Sequence, residues 1–408
     1  MKKTVIPIFL LLILSMAVYA QKQSVPDFPK QPGVKWTFKT GGPIFSSPVI
    51  SDGLAIAGCL DSVLYAVNVE TGALQWKLKT SGEIRSTVLV KNGRVYLLGG
   101  NGLLSCIETH SGKVLWRKLF DNTALFLGER RYDFADYFHS SPVEKDGLIY
   151  FGNGSTRFYA VNAENGEEAW SFKAGDIIHN TALLDDHRVY FGSYDGYVYA
   201  LDAHSGTLIW KFKSTGFRYF PIGEMQGSPA LALGNLFIGS RDFNFYALNV
   251  SGGYANWTKK IEHGWGLSAT VRDSAVFIGT SDDHLLIKAD AIYGNNLWAT
   301  DLKFNIFGNC CFSDHMVYAG TIWGKLYGVD AASGKIVWAF ATKSHSLNHD
   351  RYFKADDSYR DDIGEILTSP PVWIQAEYSM GGIFSTPAIS GNMMIVTSAE
   401  GTIYGLTR

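Results

Sequence analysis

The sequence of 408 residues contains little proline, cysteine or charge: 12 Pro, four Cys and 18% charged residues. The low proline content and the absence of a Gly-X-Y period exclude collagen-like and low-complexity chains. The 36 basic residues are balanced by 38 acidic ones, so no basic excess supports nucleic-acid binding. There is no C-x-x-C or H-E-x-x-H motif, and no G-x-S-x-G motif or phosphate-binding loop stands between a strand and a helix. Common catalytic motifs therefore do not point to an enzyme.

Residues 1–20 have the features of a secretory signal peptide. Two Lys precede an apolar run of ten residues, and small residues in an A-V-Y-A pattern end at Ala20. This order is typical of a cleaved leader, and the run is shorter than the roughly 20 residues that span a bilayer. We therefore predict an exported protein, periplasmic or extracellular, with no transmembrane segment after cleavage. No Cys follows the run, which argues against a lipid anchor.

Aromatic residues are abundant, at 14% of the chain, and 11 of them are Trp. Eight Trp recur at a nearly constant interval, with four gaps of 40 residues, one of 41, and two longer ones of 54 and 47. A Gly stands four residues before each of the last seven. A period of about 40 residues indicates a repeat architecture, in which we interpret these eight residues as structural docking tryptophans: Trp36, Trp76, Trp116, Trp170, Trp210, Trp257, Trp298 and Trp338.

Each repeat has the pattern of four short strands. The repeat ending at Trp210 contains HNTALL, RVYFGS, YVYALD and TLIWKF, whose alternation of apolar and polar residues is typical of strands. Asp195-Gly196, between the second and third segments, suits a two-residue hairpin. Four antiparallel strands per 40 residues indicate a propeller blade. We predict an all-β fold, an eight-bladed β-propeller of four-stranded antiparallel blades, over residues 21–408.

The two ends of the chain carry complementary parts of one blade. The last repeat, from Gly382 to Arg408, lacks its fourth strand and its Trp. The N-terminal segment VKWTF, which contains Trp36, has the fourth-strand pattern but no strands before it. Pairing the N-terminal strand with the C-terminal blade closes the ring and removes two exposed strand edges.

The segment VYFGSYDGYVYALDAHSGTLIWKF, residues 189–212, resembles the tryptophan-docking repeat of the PQQ-like (quinoprotein alcohol dehydrogenase-like) eight-bladed propellers. The resemblance extends over nearly all of residues 33–408. It implies the propeller fold, but the family includes both PQQ-dependent dehydrogenases and a non-enzymatic periplasmic scaffold of outer-membrane protein assembly. The resemblance alone therefore implies more than one function.

Three insertions interrupt the repeat at one point, between a Trp and the next repeat, at about residues 120–137, 217–224 and 341–380. In a propeller this loop lies on the same face as the hairpin between the second and third strands, so all three insertions share a face. Loops on a rigid scaffold often carry function, and Arg and Tyr are enriched in binding hot spots. Neutral decoration of a tolerant loop is the alternative. The candidates for partner binding are Arg130, Arg131, Tyr132, Arg218 and Tyr219.

The equal spacing also assigns one residue per blade to the entrance of the innermost strand. Four adjacent blades present polar or basic groups there, and three others present Phe. We predict a two-sided channel mouth that suits a ligand or peptide with an anionic or hydrogen-bonding end and an apolar end, although water alone would also satisfy these groups. In ring order the residues are Phe45, Arg85, His139, His179, Gln226, Gly266, Phe307 and Phe384.

The adjacent Cys310 and Cys311 begin the innermost strand of the seventh blade. We interpret them as buried free thiols, with a vicinal disulfide as the alternative. The family resemblance implies that such a pair lies over the cofactor in PQQ alcohol dehydrogenases, and Trp265 and Trp323 fall on the insertion-bearing face outside the docking register. The Glu, Asn and Asp set that serves Ca²⁺ and base catalysis in those enzymes is not matched here. Whether Cys59 and Cys106, in the first two blades, form a pair is left open.

His345 and His349 have the i, i+4 spacing of metal ligands, but their neighbours are polar. We therefore interpret them as solvated loop histidines and predict no metal site. The aspartates of positions 356, 357, 361 and 362 indicate an exposed acidic segment, with a short helix that ends at Pro370-Pro371.

These observations predict an exported, non-catalytic propeller, monomeric and without a cofactor. It would bind a protein, peptide or small molecule through its insertion-bearing face and channel mouth. One alternative is a PQQ-dependent oxidoreductase of reduced size, in which PQQ with calcium would supply the chemistry. The other is a scaffold in outer-membrane protein assembly.

Overall fold

The structure, a computed structural model, is described for residues 24–121 and 139–408. Strands in these two ranges form eight sheets of four strands each. The predicted eight-bladed β-propeller is therefore confirmed. The predicted signal peptide, residues 1–20, lies outside the described residues.

Blades one to seven each take four consecutive strands from the chain, paired as an antiparallel meander. Blade one contains β2 (Val49–Ser51), β3 (Leu54–Gly58), β4 (Val63–Asn68) and β5 (Leu74–Lys79). Blade two contains β6 (Leu89–Lys91), β7 (Arg94–Leu98), β8 (Leu103–Glu108) and β9 (Val114–Leu119). Blade three contains β10 (Val143–Lys145), β11 (Leu148–Gly152), β12 (Arg157–Asn162) and β13 (Glu168–Lys173). Blade four contains β14 (Leu183–Leu184), β15 (Arg188–Gly192), β16 (Tyr197–Asp202) and β17 (Leu208–Lys213).

The next three blades repeat this order. Blade five contains β18 (Ala230–Ala232), β19 (Asn235–Gly239), β20 (Asn244–Asn249) and β21 (Ala255–Lys260). Blade six contains β22 (Gly266–Arg272), β23 (Ala275–Thr280), β24 (Leu285–Asp290) and β25 (Asn296–Asp301). Blade seven contains β26 (Cys311–Phe312), β27 (Met316–Gly320), β28 (Lys325–Asp330) and β29 (Ile336–Ala341).

Blade eight joins the two ends of the chain, as the sequence predicts. Its first three strands are C-terminal, and its fourth is the N-terminal β1: β30 (Ala388–Ser390), β31 (Met393–Ser398), β32 (Thr402–Thr407) and β1 (Gly33–Lys39). β1 pairs antiparallel with β32, so that Trp36 lies opposite Gly405. This pairing closes the ring and leaves neither strand as a free edge.

One tryptophan contact recurs at the blade junctions. The indole Nε1 of Trp76 in blade one donates to the carbonyl oxygen of Thr109 in blade two at 2.8 Å. The ring also lies against Gly112, where a Cβ atom would come within 2.8 Å of the indole. Gly112 has φ +68°, so glycine serves both the left-handed turn and the close approach of the ring.

The last junction uses the N-terminal segment in place of a blade turn. Trp338 of blade seven donates its indole N–H to the carbonyl oxygen of Phe28 at 2.6 Å. Phe28 is fully buried, and the guanidinium of Arg408 lies 4.5 Å from its ring centre. At other junctions, such as that of Trp76, the acceptor lies in the turn between the third and fourth strands of the next blade. Among the described residues, blade eight has no such turn, and the segment before β1 supplies the acceptor instead.

The hairpin prediction at Asp195-Gly196 is wrong in detail. Four residues, 193–196, connect β15 to β16, and of the predicted pair Gly196 has a positive φ, at +78°. Two-residue turns with two positive φ values lie one hairpin earlier, between the first and second strands, as at Asp52-Gly53 with φ +50° and +76°. Such paired values match the twist of a tight hairpin.

The insertion at residues 341–380 contains three helices in place of a loop: α1 (Lys343–Tyr352), α2 (Ile363–Ile366) and α3 (Pro370–Ser379). Thr342 caps α1 by accepting a hydrogen bond from the backbone N–H of His345. Pro370 and Pro371 begin α3, where proline fits because the first turn of a helix has no internal acceptor for its N–H groups. The prediction that these prolines end a helix is therefore wrong.

The core lies between neighbouring blades. The junction of blades one and two, for example, buries Trp76 against Ile84, Leu64 and Val95. A further cluster lies under the helical insertion, where Trp323 is 1% exposed and packs with Phe353 and Met380. None of the helices in the described ranges has the length and apolarity that crossing a membrane requires.

Candidate functional site

The two described insertions both contact hairpins between the second and third strands of a blade. In the insertion at 217–224, the carbonyl oxygen of Glu224 accepts from the backbone N–H of Arg241, in the β19–β20 hairpin, at 3.0 Å. In the helical insertion, Nδ1 of His345 lies 2.6 Å from the carbonyl oxygen of Trp323, in the β27–β28 hairpin. Both insertions therefore lie on one face of the disc, the insertion face. The candidates Arg130, Arg131 and Tyr132 lie outside the described residues.

The inner strands bring six of the predicted entrance residues around one cavity on the axis, the mouth. Its volume is about 110 Å³. The polar groups lie on blades two to five, and the aromatic rings lie on blades seven and eight. The six entrance residues that line the mouth are Arg85, His139, His179, Gln226, Phe307 and Phe384. Whether they bind a ligand stays a prediction.

Arg85 and Gln226 of the mouth bond to neighbouring side chains. Nε of Arg85 donates to the carboxylate of Glu83 at 2.7 Å, and its guanidinium lies 5.2 Å from the ring centre of Phe45. Oε1 of Gln226 accepts from Nε of Arg241 at 3.0 Å. The glutamate offsets the charge of Arg85, so the mouth is less cationic than its sequence suggests.

Phe45 does not line the mouth as predicted. It is fully buried, and its ring packs 4.8 Å from that of Phe384 and 5.4 Å from that of Tyr378. Gly266, the entrance residue of blade six, has no side chain to contribute, and the neighbouring Leu267 lines the cavity instead. Phe45 thus supports the aromatic wall from behind.

A belt of hydroxyl groups around the axis was missed by the sequence reasoning. The backbone N–H of Ser47 donates to Oγ1 of Thr87, whose own N–H donates to Oγ of Ser141. The same bond continues from Ser141 to Thr181 and from Thr181 to Ser228. The signal was present in the sequence, because each of these residues stands two positions after the entrance residue of its blade.

A larger cavity opens beside the mouth, between blades six and seven and the helical insertion. This side cavity has a volume of about 650 Å³ and shares Phe307 with the mouth. Ligand pockets in proteins measure about 300–1,000 Å³, so the side cavity, and not the mouth, has the size of a ligand site. Its walls include Trp265, Trp323 and Trp373, the three tryptophans outside the docking register.

The side cavity is aromatic and acidic. Besides the three indoles it contains the ring of Tyr359, with carboxylates from Asp282 and Glu377. The described lining residues include neither Lys nor Arg. Asp282 is accessible from the cavity, but the surrounding protein partly removes it from water, which raises the pKa of its carboxyl group. Nδ2 of Asn305 donates to the same carboxylate at 2.9 Å. Such a cavity favours a group that is both apolar and cationic.

Arg241 and the insertion at 217–224 connect the mouth to the side cavity. The buried guanidinium of Arg241 lies 5.0 Å from the ring centre of Trp265, and Phe220 packs edge-on against the same indole at 5.1 Å. The candidates Arg218 and Tyr219 extend outward at the tip of this insertion, with Tyr219 70% exposed. Neither residue lines the mouth or the side cavity, so both stay candidates for contact with a larger partner.

Cys310 and Cys311 are free thiols in the structure, the first buried and the second half-buried. Desolvation raises the pKa of each thiol to about 12. Cys310 packs in the apolar cluster between blades six and seven, and neither residue is among the described residues that line the mouth or the side cavity. Cys59 and Cys106 are buried in separate clusters.

The interpretation of His345 and His349 as solvated loop histidines is wrong. Both lie on α1, His345 is 2% exposed, and the side chain of His349 is only 17% exposed. Asp357, predicted to be part of an exposed acidic segment, is half-buried and lies beside both histidines. The i, i+4 spacing on a helix brings the two rings to 5.3 Å between centres.

Comparison with known proteins assigns the chain to a family. A family model described as outer membrane protein assembly factor BamB matches residues 29–131 and 131–340. The chain belongs to this family. The curated outer membrane protein assembly factor BamB of Yersinia pestis is 24% identical over 149 residues, which are 35% of this chain and 37% of that protein. The matched stretch thus spans little more than a third of that relative.

Two solved structures share the propeller over most of the chain. BamB from Moraxella catarrhalis has a TM-score of 0.69 at 14% identity, covering 93% of this chain and 100% of that one. Quinohemoprotein alcohol dehydrogenase from Comamonas testosteroni has a TM-score of 0.68 at 13% identity, covering 93% and 76%. The expected PQQ-like fold family is confirmed. At these identities the likeness concerns the fold alone, and it extends to an assembly factor and to an enzyme.

The described residues do not fit a quinone held with calcium. The mouth is too small for a ligand of that size, and none of its described lining residues is Asp or Glu, the carboxylates that calcium prefers. The side cavity is large enough, but its described walls offer two carboxylates and neither Lys nor Arg. The carboxylates that PQQ itself carries would face like charges there.

Proposed function

We propose that the protein is a non-enzymatic binding scaffold in outer-membrane protein assembly, which holds a polypeptide segment of its partner on the insertion face. The observation that carries this proposal is the side cavity, which is about 650 Å³ in volume and shares the wall residue Phe307 with the mouth. Membership of the BamB family supports the assembly role. The leader-like sequence of residues 1–20 supports export to the periplasm.

The chemistry of the two cavities suggests what the segment contains. An apolar side chain with a basic end, or an aromatic residue next to Lys or Arg, would place its apolar part against Trp265 and Trp373 and its charge near Asp282. The polar mouth would then accept backbone amides of the same segment. Hydroxyl and amide groups such as Ser228 and Gln226 can both donate and accept hydrogen bonds.

The geometry suits a polypeptide better than a compact ligand. The mouth and the side cavity share Phe307. Phe220, next to the exposed Tyr219, packs on Trp265 of the side cavity, so one extended segment could touch the mouth, the side cavity and Tyr219. Tyr and Trp anchors surrounded by a polar rim are typical of protein interfaces. We therefore assign the protein a binding role and no reaction.

The test is deletion of the gene in its native host, followed by quantitative proteomics of the outer-membrane fraction. We expect lower amounts of outer-membrane proteins, restored by the wild-type chain and not by Ile374→Asp, which places a charge on the wall of the side cavity. The matched control is Ile292→Asp, because Ile292 is 49% exposed in a turn between third and fourth strands, on the opposite face. Unchanged outer-membrane proteins after deletion would refute the assembly role.

A further inference from the structure

Three side chains at the base of the helical insertion form a cluster with the composition of a metal site. They are His345 and His349 on α1, and Asp357 in the segment between α1 and α2. One possible ligand atom from each lies within 4.8 Å of the others. The three come from two chain segments that a bound cation would tie together.

The tautomer of His345 leaves a buried lone pair within this cluster. Nδ1 lies 2.6 Å from the carbonyl oxygen of Trp323, and only an N–H donor satisfies that contact. Nε2 therefore carries the lone pair, and it has no hydrogen-bond partner among the described residues. Burial lowers the pKa of His345 to about 4, which keeps the ring neutral. A backbone carbonyl that orients the imidazole in this way is the usual outer support of a metal-bound histidine.

His349 and Asp357 are arranged to share one cation. Nε2 of His349 lies 3.0 Å from Oδ1 of Asp357, and Nδ1 lies 2.9 Å from a carboxylate oxygen of Asp350. With metal–ligand bonds of about 2.0–2.2 Å, two ligand atoms of a tetrahedral zinc site are about 3.3 Å apart. A cation can therefore replace the proton between His349 and Asp357 with little movement, while Nδ1–H keeps its bond to Asp350.

The surroundings offset part of the charge of a cation at the proposed site. Nζ of Lys325 donates to Oδ2 of Asp357, which leaves Oδ1 to face the histidines. Asp350 and Asp357 together carry two negative charges and Lys325 one positive charge, so the three side chains offset one of the two charges of a divalent cation and the local sum changes from minus one to plus one. Phe304 and Phe353 pack against the two imidazoles, which limits their motion.

We propose that His345, His349 and Asp357 bind a Zn²⁺-type cation, which holds the helical insertion in place over the side cavity. Two imidazoles and a carboxylate with a fourth position open to water are a ligand set that zinc accepts. The proposed site is close to the side cavity, because Trp323 contacts both. Its backbone carbonyl bonds to His345, and the indole of the same residue lines the side cavity. Tyr359, two residues after Asp357, lines it as well.

The test uses the tag-free full chain, treated with chelator and titrated with Zn²⁺ by calorimetry, and with Co²⁺ by visible absorption. We expect one equivalent of each cation, visible absorption bands of four- or five-coordinate Co²⁺, and loss of these bands on adding Zn²⁺. His349→Gln and Asp357→Asn should each lower the affinity more than tenfold, and Asp350→Asn about tenfold, the usual effect of losing an outer support.

Matched controls are His263→Gln and His315→Gln. Each of these histidines is about four-fifths exposed and bonds to one aspartate, Asp283 and Asp27 respectively, so zinc affinity should not change. Circular dichroism before titration shows that each variant is folded. Hydrogen exchange across residues 343–360 should slow when Zn²⁺ is added. Absence of saturable binding, or stoichiometric binding that survives both His349→Gln and Asp357→Asn, would overturn the proposal. Neither result bears on whether the insertion face binds a polypeptide.

Discussion

At the rim of the ring, one contact recurs: an indole N–H bonds to a carbonyl of the next blade while the ring lies on a turn glycine, as Trp36 does with Val69 and Gly72. On the insertion face each contact occurs once, such as the indole of Trp265 between Phe220 and Arg241. The rim is thus built for stability by repetition, and the insertion face presents particular side chains to a partner. Rim substitutions should change the free energy of unfolding, and insertion-face substitutions should change binding.

The largest effect is expected for Trp76→Ala. Loss of a buried indole in a closed core should lower the free energy of unfolding by about 3–5 kcal/mol, because the cavity between blades one and two cannot collapse without distorting both. Denaturant unfolding measures the change. Partner binding should be retained wherever the variant is folded, and a variant of wild-type stability would contradict the docking role.

A smaller loss of stability is expected for Gly112→Ala. Both Gly112 and Gly93 have a positive φ, +68° and +72°, where a side chain costs about 1–2 kcal/mol. A Cβ at Gly112 also meets the indole of Trp76, whereas one at Gly93 meets nothing within 4 Å. Gly112→Ala should therefore be more destabilising than the control Gly93→Ala. Equal losses would mean that the turn glycine has no packing role.

On the insertion face, Asp282→Asn should reduce binding without reducing stability. The probe is a labelled peptide of alternating Lys and aromatic residues, measured by fluorescence anisotropy against a counterpart with Glu in place of Lys. We expect the Lys peptide to bind more tightly than the Glu peptide. Asp282→Asn should lower the affinity for the Lys peptide about tenfold, which corresponds to the loss of about 1.4 kcal/mol of charge attraction. The control is Asp186→Asn, whose side chain is 97% exposed in a turn between first and second strands. Better binding of the Glu peptide would contradict the acidic cavity.

The same binding should weaken as the pH falls below neutrality towards the range in which aspartate takes up a proton. Desolvation raises the pKa of Asp282, so this carboxylate takes up a proton, and loses its attraction for Lys, at a higher pH than an exposed aspartate does. Anisotropy titrations across this range measure the effect. The pH dependence should flatten in Asp282→Asn, and an equally steep dependence there would assign the titration to another group.

The smallest effect is expected for Arg85→Gln in the mouth. Because Glu83 already offsets the charge of Arg85, removing the guanidinium should change the affinity for either peptide by less than about fivefold, which corresponds to about 1 kcal/mol. The same anisotropy assay measures it. A larger loss of affinity for the Glu peptide would indicate that the mouth binds anions.

The repeated parts of the molecule could be predicted from the sequence, and the singular parts could not. The period of the tryptophans and the three-strand last repeat are enough to predict eight blades and the pairing of β1, which contains Trp36, with the C-terminal blade. These features are predictable because each contact of the repeat occurs in several copies. The side cavity depends on where α3 lies relative to blades six and seven, and no repeat specifies that. Spacing alone also placed Phe45 in the lining of the mouth, whereas the ring of Tyr378, in the insertion, packs against it and helps to bury it.

His345 shows the same limit for a single residue. Its polar neighbours in the sequence indicate solvent, but the capping of α1 by Thr342 and the bond to Trp323 direct its ring inward. The i, i+4 spacing was the correct signal, and its meaning depended on a helix that the local composition did not predict. The hydroxyl belt, in contrast, stands at the same position in five successive repeats, from Ser47 to Ser228, and could have been predicted.

The most direct test of the binding role is site-specific photo-cross-linking in the native host, with a photoreactive phenylalanine analogue at Tyr219 or at Tyr293. The two tyrosines are 70% and 72% exposed, but Tyr219 lies on the insertion face and Tyr293 in a turn on the opposite face. A binding role of the insertion face predicts a discrete cross-link to an outer-membrane assembly protein from Tyr219 and none from Tyr293. A cross-link to such a protein from Tyr293, with none from Tyr219, would contradict it.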